Sequence, residues 1–182
     1  MSEHMELWDV YDVNRVRTGK IISRPAAWGE ETYHLIVHVC IFDSNGRMLI
    51  QKRCHQKRAW PDLWDVSAGG SALAGEESWQ AAERETREEL GLEIDLADVR
   101  PTMTICWEHG FDDYYIVNRP VELESLRLQP EEVQKVRWAS EEEILEMIDD
   151  GRFIPYDKSL IELLFFRRNH RSSHTRRDWT ND

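Results

Sequence analysis

One stretch constrains this chain more than any other: residues 70–92, GSALAGEESWQAAERETREELGL. Its pattern predicts a helix that opens near Glu76 and stops at Gly91, a C-terminal glycine stop. Glu85, Glu88 and Glu89 then stand at i, i+3 and i+4 and share an arc of about 100°. Each such like-charge pair costs about 0.2–0.5 kcal/mol on an exposed helix. A divalent cation would offset that cost, and all-oxygen ligands suit magnesium, manganese or calcium better than zinc. Arg84 can pair with Glu88 four residues on. The bland alternative is a solvated acidic face. Trp79, Ala82, Thr86 and Leu90 form a second face that any amphipathic helix would have.

The wider spacing favours the site. Gly70, Glu76, Arg84, Glu85, Glu88, Glu89, Gly91 and Leu92 resemble the Nudix box, G-x5-E-x7-R-E-U-x-E-E-x-G-U, with U a bulky aliphatic. Eight of nine defined positions match; Thr86 stands where U is expected. A pattern this long is far more specific than a lone glycine-rich motif. The resemblance implies a loop–helix–loop site that holds a divalent metal against a diphosphate. It also implies an α/β fold, the Nudix α/β/α sandwich with a mixed β-sheet.

Length and charge bound what such a site can serve. The 182 residues suit one domain, and 41% hydrophobic residues suffice for a core. We place that domain, with an N-terminal strand extension, over 1–168, followed by a polar, flexible tail over 169–182. The eight tryptophans suggest a core or pocket rich in aromatics. A net charge of −12 argues against duplex nucleic acid as a partner. An acidic protein that handles phosphates needs metal or local Lys/Arg. Cys40, Cys54 and Cys106 form no CxxC, which suits a reducing, cytoplasmic setting. No apolar run reaches membrane-spanning length, and no signal peptide is evident.

Along the chain, 6–13 reads as a short strand ending in a turn at Asn14, and a second extended piece begins at Gly19. Residues 25–31 read as a loop. The nearly continuous apolar run 33–42 (YHLIVHVCIF) predicts a central strand, joined through the turn 43–46 to a strand over 47–53 in a hairpin. His34 and His38 share a strand face and read as satisfied structural histidines. Lys52, Arg53, Lys57 and Arg58 form a basic cluster. A strand over 65–70 delivers Gly70 to the box. Strands are expected over 103–107, 114–123 and 136–138, with a polar loop over 108–113. Ser140 and Glu143 form a capping box for a helix over 141–149, and a last helix runs through Phe166.

Residues 33–94 are further similar to the isopentenyl-diphosphate isomerase branch of Nudix proteins. The likeness rests on YHLIVHVCIF, the Arg53-x3-Lys57 pair, AWPDLW over 59–64, and the box; LWDVYD is similar to hydrolases related to that branch. It implies that Arg53 and Lys57 grip a substrate diphosphate. The departures are specific. The isomerase cysteine before the box glycine is Gly69 here, the metal histidine after it is Ser71, and another metal histidine is Ala27; only His34 of that set remains.

The leading expectation is therefore a hydrolase that uses Mg2+ or Mn2+ to direct water at a phosphorus of X–P–P. Glu85 and Glu89 are direct ligands, Glu88 a ligand directly or through water, and the Gly70 carbonyl completes the shell. Arg84 orients the carboxylates, and Glu76 favours the helix start through the dipole. The base stays open between Glu88, Asp112, Asp113, Glu131 and Glu132. The partner is a small-molecule diphosphate, with nucleoside diphosphates, nucleotide sugars, ADP-ribose and prenyl diphosphates all open; a homodimer is open as well. The competing classes are a prenyl-diphosphate isomerase and a non-catalytic nucleotide-binding module. An intact acidic box argues against the latter.

Overall fold

The computed structural model describes residues 6–24, 29, 32–170 and 172. Most of the expected 25–31 loop, Ala27 and nearly all of the 169–182 tail lie outside those residues.

The centre is β3 (His34–Phe42), buried along most of its length as a two-faced apolar run should be. It pairs in parallel with β8 (Gly110–Asn118) over nine residues, and β8 pairs antiparallel with β7 (Met103–Trp107). On its other side β3 meets β4 (Met48–Arg53) at one register pair, Phe42↔Met48, and then β6 (Ala68–Ser71). β4 turns instead to β5 (Trp64–Asp65) and β9 (Val133–Ala139). The expected hairpin is thus present but splayed. Ser67 bridges the gap: its hydroxyl donates to the Leu49 carbonyl (2.5 Å) and accepts from the Ile41 amide (2.8 Å). The turn itself is built as read, with Asp43 accepting the amides of Asn45 and Arg47 and Gly46 at φ +76°.

Alternation along β3 sends its side chains into two cores. Leu35, Val37, Val39 and Ile41 pack with Ala81, Ala82 and Leu90 of α1 (Ser78–Leu90). Cys40 and Phe42 pack with Ile144 and Met147 of α2 (Glu141–Asp149) and with Ile161, Leu164 and Phe165 of α3 (Lys158–Arg167). Helices on both faces of a mixed sheet make this an α/β/α sandwich. Thr86, the departure from the box, is fully buried on the α1 face, and its hydroxyl donates to the Ala82 carbonyl at 2.7 Å. The helix therefore satisfies the one polar atom this substitution buries.

Outside the main sheet, β1 (Leu7–Tyr11) and β2 (Arg17–Ser23) form an antiparallel ribbon that joins the body through Trp8, Val10 and Tyr11. Several boundaries differ from expectation: β8 ends at Asn118 and not at 123, and β9 begins at Val133 and not at 136. The strand placed over 65–70 is two short strands, because the chain crosses from β4 to β3 at Ser67. The polar loop placed over 108–113 shrinks to a tight turn at Glu108 and His109, so Asp112 and Asp113 lie within β8. Pairing with β3 overrides the polar character of that segment.

Candidate active site

The site is built where β6 passes α1. The helix starts at Ser78, two residues later than its pattern suggested, after Glu77, whose amide donates to Gln80 Oε1 (2.8 Å). Glu76 therefore sits outside the helix. It accepts the Leu73 amide (2.9 Å) and clamps Arg84 through two bonds, from Nε (2.7 Å) and Nη2 (3.1 Å). This corrects the dipole role: Glu76 ties the loop to the helix through Arg84. Arg84 also donates to Glu85 Oε1 (2.7 Å), Glu88 Oε2 (3.0 Å) and the Ser71 carbonyl (3.0 Å). One guanidinium thus fixes three carboxylates and one end of β6, a use of the rigid Arg fork.

The three helix carboxylates differ sharply in exposure. Glu88 is 48% exposed and Glu85 14%. Glu89 is 3% exposed and turned inward, not on the solvent side where the bare helix pattern places it. Its Oε2 accepts from Gln51 Nε2 (2.8 Å) and from the Gly69 amide (3.1 Å). Burial pushes Glu85 up to about 7 in spite of Arg84, and burial plus repulsion from Glu85 pushes Glu89 up to about 8. Gly70 lies against Glu85: a Cβ there would stand 2.4 Å from Oε1.

These groups line a cavity of about 380 Å³. Arg53 and Lys57 are in its wall, each already holding a carboxylate. Arg53 donates to Asp65 (3.0 Å) and twice to the Ala59 carbonyl (3.0 and 3.3 Å), and Lys57 pairs with Glu132. Of the proposed bases, Asp112, Glu88 and Glu132 line the cavity. Glu131 is exposed outside it. Asp113 is fully buried elsewhere, taking bonds from Arg15, Ser78 and Thr104, so it belongs to a structural network.

The two histidines part company. His34 stacks on Trp8 (5.0 Å between centroids) with Trp107 edge-on, and burial lowers its pKa. That is the structural histidine expected. His38 is different: it lines the cavity, and its Nε2 is buried without a hydrogen-bond partner. Sequence reasoning also missed Tyr156 and Asp65 in the wall, and the buried Gln51 that donates to Glu89. The signal for Gln51 was a polar residue in the apolar run MLIQ; nothing local marks the other two, since Tyr156 reaches Asp65 (2.9 Å) across 91 positions.

The donor set fits a hard divalent cation. Buried Glu89 and half-buried Glu85 crowd two carboxylates that Arg84 alone does not balance, and the space beside Gly70 is a cradle that any side chain would fill. Among the described residues no three acidic, His or Cys side chains converge as a ready-made cage. Water or substrate oxygens would complete the shell, as is usual for magnesium. Glu85 lies against Gly70 and Glu89 accepts from the Gly69 amide, so one turn of α1 sets both carboxylates on neighbouring residues of β6, with Glu88 more exposed.

The NUDIX domain profile matches residues 32–164. An uncharacterised Nudix hydrolase of Listeria monocytogenes is 48% identical over 152 residues, covering 84% of this chain and 90% of that protein. An isopentenyl-diphosphate Delta-isomerase of Clavibacter michiganensis is 27% identical over 150 residues, covering 80% and 77%. The crystal structure of DR0079 from Deinococcus radiodurans superposes with a TM-score of 0.70 at 27% identity, covering 87% of this chain and 97% of that one.

Proposed function

The chain belongs to the Nudix hydrolase family, and on that premise we propose that it is a metal-dependent diphosphatase that cleaves X–P–P substrates by attack of water at phosphorus. The observation that carries this reading is a cavity lined together by buried Glu89, half-buried Glu85 and the two cations Arg53 and Lys57. Glu85, Glu89 and Glu88, with the Gly70 carbonyl, would hold Mg2+ or Mn2+. When bound, the cation neutralises phosphate charge and polarises the P–O bond. Arg84 keeps the carboxylates in place through its bonds to Glu76 and Ser71. Arg53 and Lys57 bind diphosphate oxygens through charge-assisted hydrogen bonds, exchanging part of their present pairing with Asp65 and Glu132.

Isomerisation is the second reading, since isomerases are among the relatives. Gly69 speaks against it: the position that would carry the cysteine has no side chain, and a Cβ there would meet the Val37 carbonyl oxygen at 2.7 Å. A panel of ADP, GDP, UDP-glucose, ADP-ribose and isopentenyl diphosphate, with and without magnesium, tests the proposal. Magnesium-dependent release of a phosphorylated product from any member supports it. Isomerisation of isopentenyl diphosphate without phosphate release overturns it.

A further inference from the structure

His38 is the one imidazole among the described residues that line the cavity. The parallel register sets it beside Tyr114, on which it stacks at 4.5 Å and 9°, while Tyr156 meets it edge-on at 6.2 Å. Those contacts leave the ring little freedom. Its Nε2 faces Asp112 Oδ2 at 3.5 Å, longer than a hydrogen bond, and is otherwise without a partner. Asp112 is itself anchored, accepting Trp107 Nε1 at 2.9 Å. Catalytic hydrogen bonds are commonly loose before substrate binds. With its proton on Nε2, on the side of that carboxylate, the imidazole keeps the Nδ1 lone pair available to accept a proton. Nδ1 lies 3.5 Å from where a Cβ on Gly69 would stand. Gly69 donates its amide to Glu89, so the imidazole and the buried carboxylate flank one residue of β6.

The other candidate bases are engaged. Arg84 holds Glu85 and Glu88, Lys57 holds Glu132, and Asp65 accepts from Arg53 and Tyr156. Glu89 is bonded to Gln51 and Gly69, and Glu6 is exposed ahead of β1. Around His38 the charged and titratable groups are Asp112 and Tyr114 on β8, Tyr156 before α3, and Arg24 and Asp65 in the cavity wall. Burial raises the pKa of both tyrosines, so neither competes for a proton near neutrality.

We propose that His38 is a catalytic residue of the diphosphatase, accepting the proton of the attacking water at Nδ1, with Asp112 as its positioning residue. The water O–H bond breaks and its proton goes to Nδ1. The oxygen forms the new bond to phosphorus, and the P–O bond to the leaving phosphate breaks, its electron pair staying on the leaving oxygen. Asp112 stays a carboxylate and stabilises the imidazolium, whose Nε2 proton remains on the ring.

This inference rests on the diphosphatase reading, and its test separates the two. His38→Ala, His38→Gln and Asp112→Asn are assayed on the best substrate of the panel named above, with thermal midpoints measured for each. Both His38 variants should lose about 10²–10⁴ in kcat, the range of general-base catalysis, with KM within about threefold of wild type. Asp112→Asn should lower kcat with KM within about threefold of wild type, the split expected of a residue that acts through the imidazole. Free imidazole should restore part of the His38→Ala rate, which a packing role would not allow. If His38→Ala fails to fold, His38→Gln, which keeps bulk and polarity, carries the test. Either folded variant retaining more than a third of wild-type kcat overturns the inference alone. A wild-type protein that cleaves no member of the panel overturns the parent reading and this one with it.

Discussion

Gly70 and Glu85 occupy adjoining space: a Cβ on Gly70 would lie 2.4 Å from Glu85 Oε1 and 2.5 Å from its Cδ. The glycine is thus what permits the carboxylate to lie over β6. Gly70→Ala should drive the Glu85 carboxylate off its bond to Arg84. We expect kcat to fall by at least tenfold and the thermal midpoint by only a few degrees, because the displaced group is the end of a side chain. Wild-type kcat in a folded Gly70→Ala protein would remove Glu85 from the metal assignment.

Glu89→Gln separates charge from shape. Glutamine can still accept from Gln51 and Gly69 but offers no ligand charge, so turnover should drop by orders of magnitude with the fold intact. The sign of the stability change is opposite. Burial raises Glu89 to about 8, above the unfolded value of roughly 4.5. The folded state then binds the extra proton, and the stability it confers is full below the unfolded pKa and lost as pH rises through the folded one. Metal-free wild type should therefore melt at progressively lower temperature between pH 5 and pH 9. Glu89→Gln should melt with a flatter profile and be the more stable of the two at the alkaline end. Identical profiles in differential scanning calorimetry would contradict this account of Glu89.

Metal removal follows from the same charge imbalance. Chelator should abolish turnover, and magnesium or manganese should restore it. Added magnesium should also raise the thermal midpoint by mass action, and more at pH 8 than at pH 5.5, where protons already occupy the carboxylates. A midpoint indifferent to magnesium at both pH values counts against Glu85 and Glu89 as ligands.

Arg53 and Lys57 make different predictions. Lys57 holds only Glu132 among the contacts described, so Lys57→Ala should raise KM for diphosphates with little change in stability. Arg53 also fixes the Ala59 carbonyl and Asp65, so Arg53→Ala should raise KM and lower the thermal midpoint. Hydrogen bonds to charged groups are worth about 1.5–3 kcal/mol, which corresponds to about tenfold to a hundredfold in KM. If neither variant changes KM, the two cations serve the loop rather than the substrate.

Gly69→Cys tests the isomerase alternative on structural grounds. A Cβ at that position would stand 2.7 Å from the Val37 carbonyl oxygen, a backbone atom inside the β3–β6 ladder. The substitution must therefore shift a strand, and the protein should be destabilised without gaining activity. We expect no dimethylallyl diphosphate from isopentenyl diphosphate with either wild type or Gly69→Cys. Appearance of that isomer, followed by NMR, would return the protein to the isomerase reading.

The features legible in the chain before folding are local. Spacing of 3 and 4 residues places Glu85, Glu88 and Glu89 on one arc and Arg84 within reach of Glu88; Ser140 and Glu143 cap α2 as read, with reciprocal bonds of 3.2 and 2.8 Å; the apolar run 33–42 is the central strand. These follow from bond geometry within a few residues, so pattern suffices. Tertiary structure decided which carboxylate is buried, since only packing of α1 against β6 and Gln51 turns Glu89 inward. It gave Glu76 its partner eight residues away and moved Asp112 from a loop into β8. It also separated His34 from His38: the first is enclosed by Trp8 and Trp107, the second meets Asp112 and Tyr114 because a parallel pairing joins segments more than 70 residues apart. Such contacts depend on register between distant strands, which is set by the packing of whole faces and leaves no mark in either segment alone.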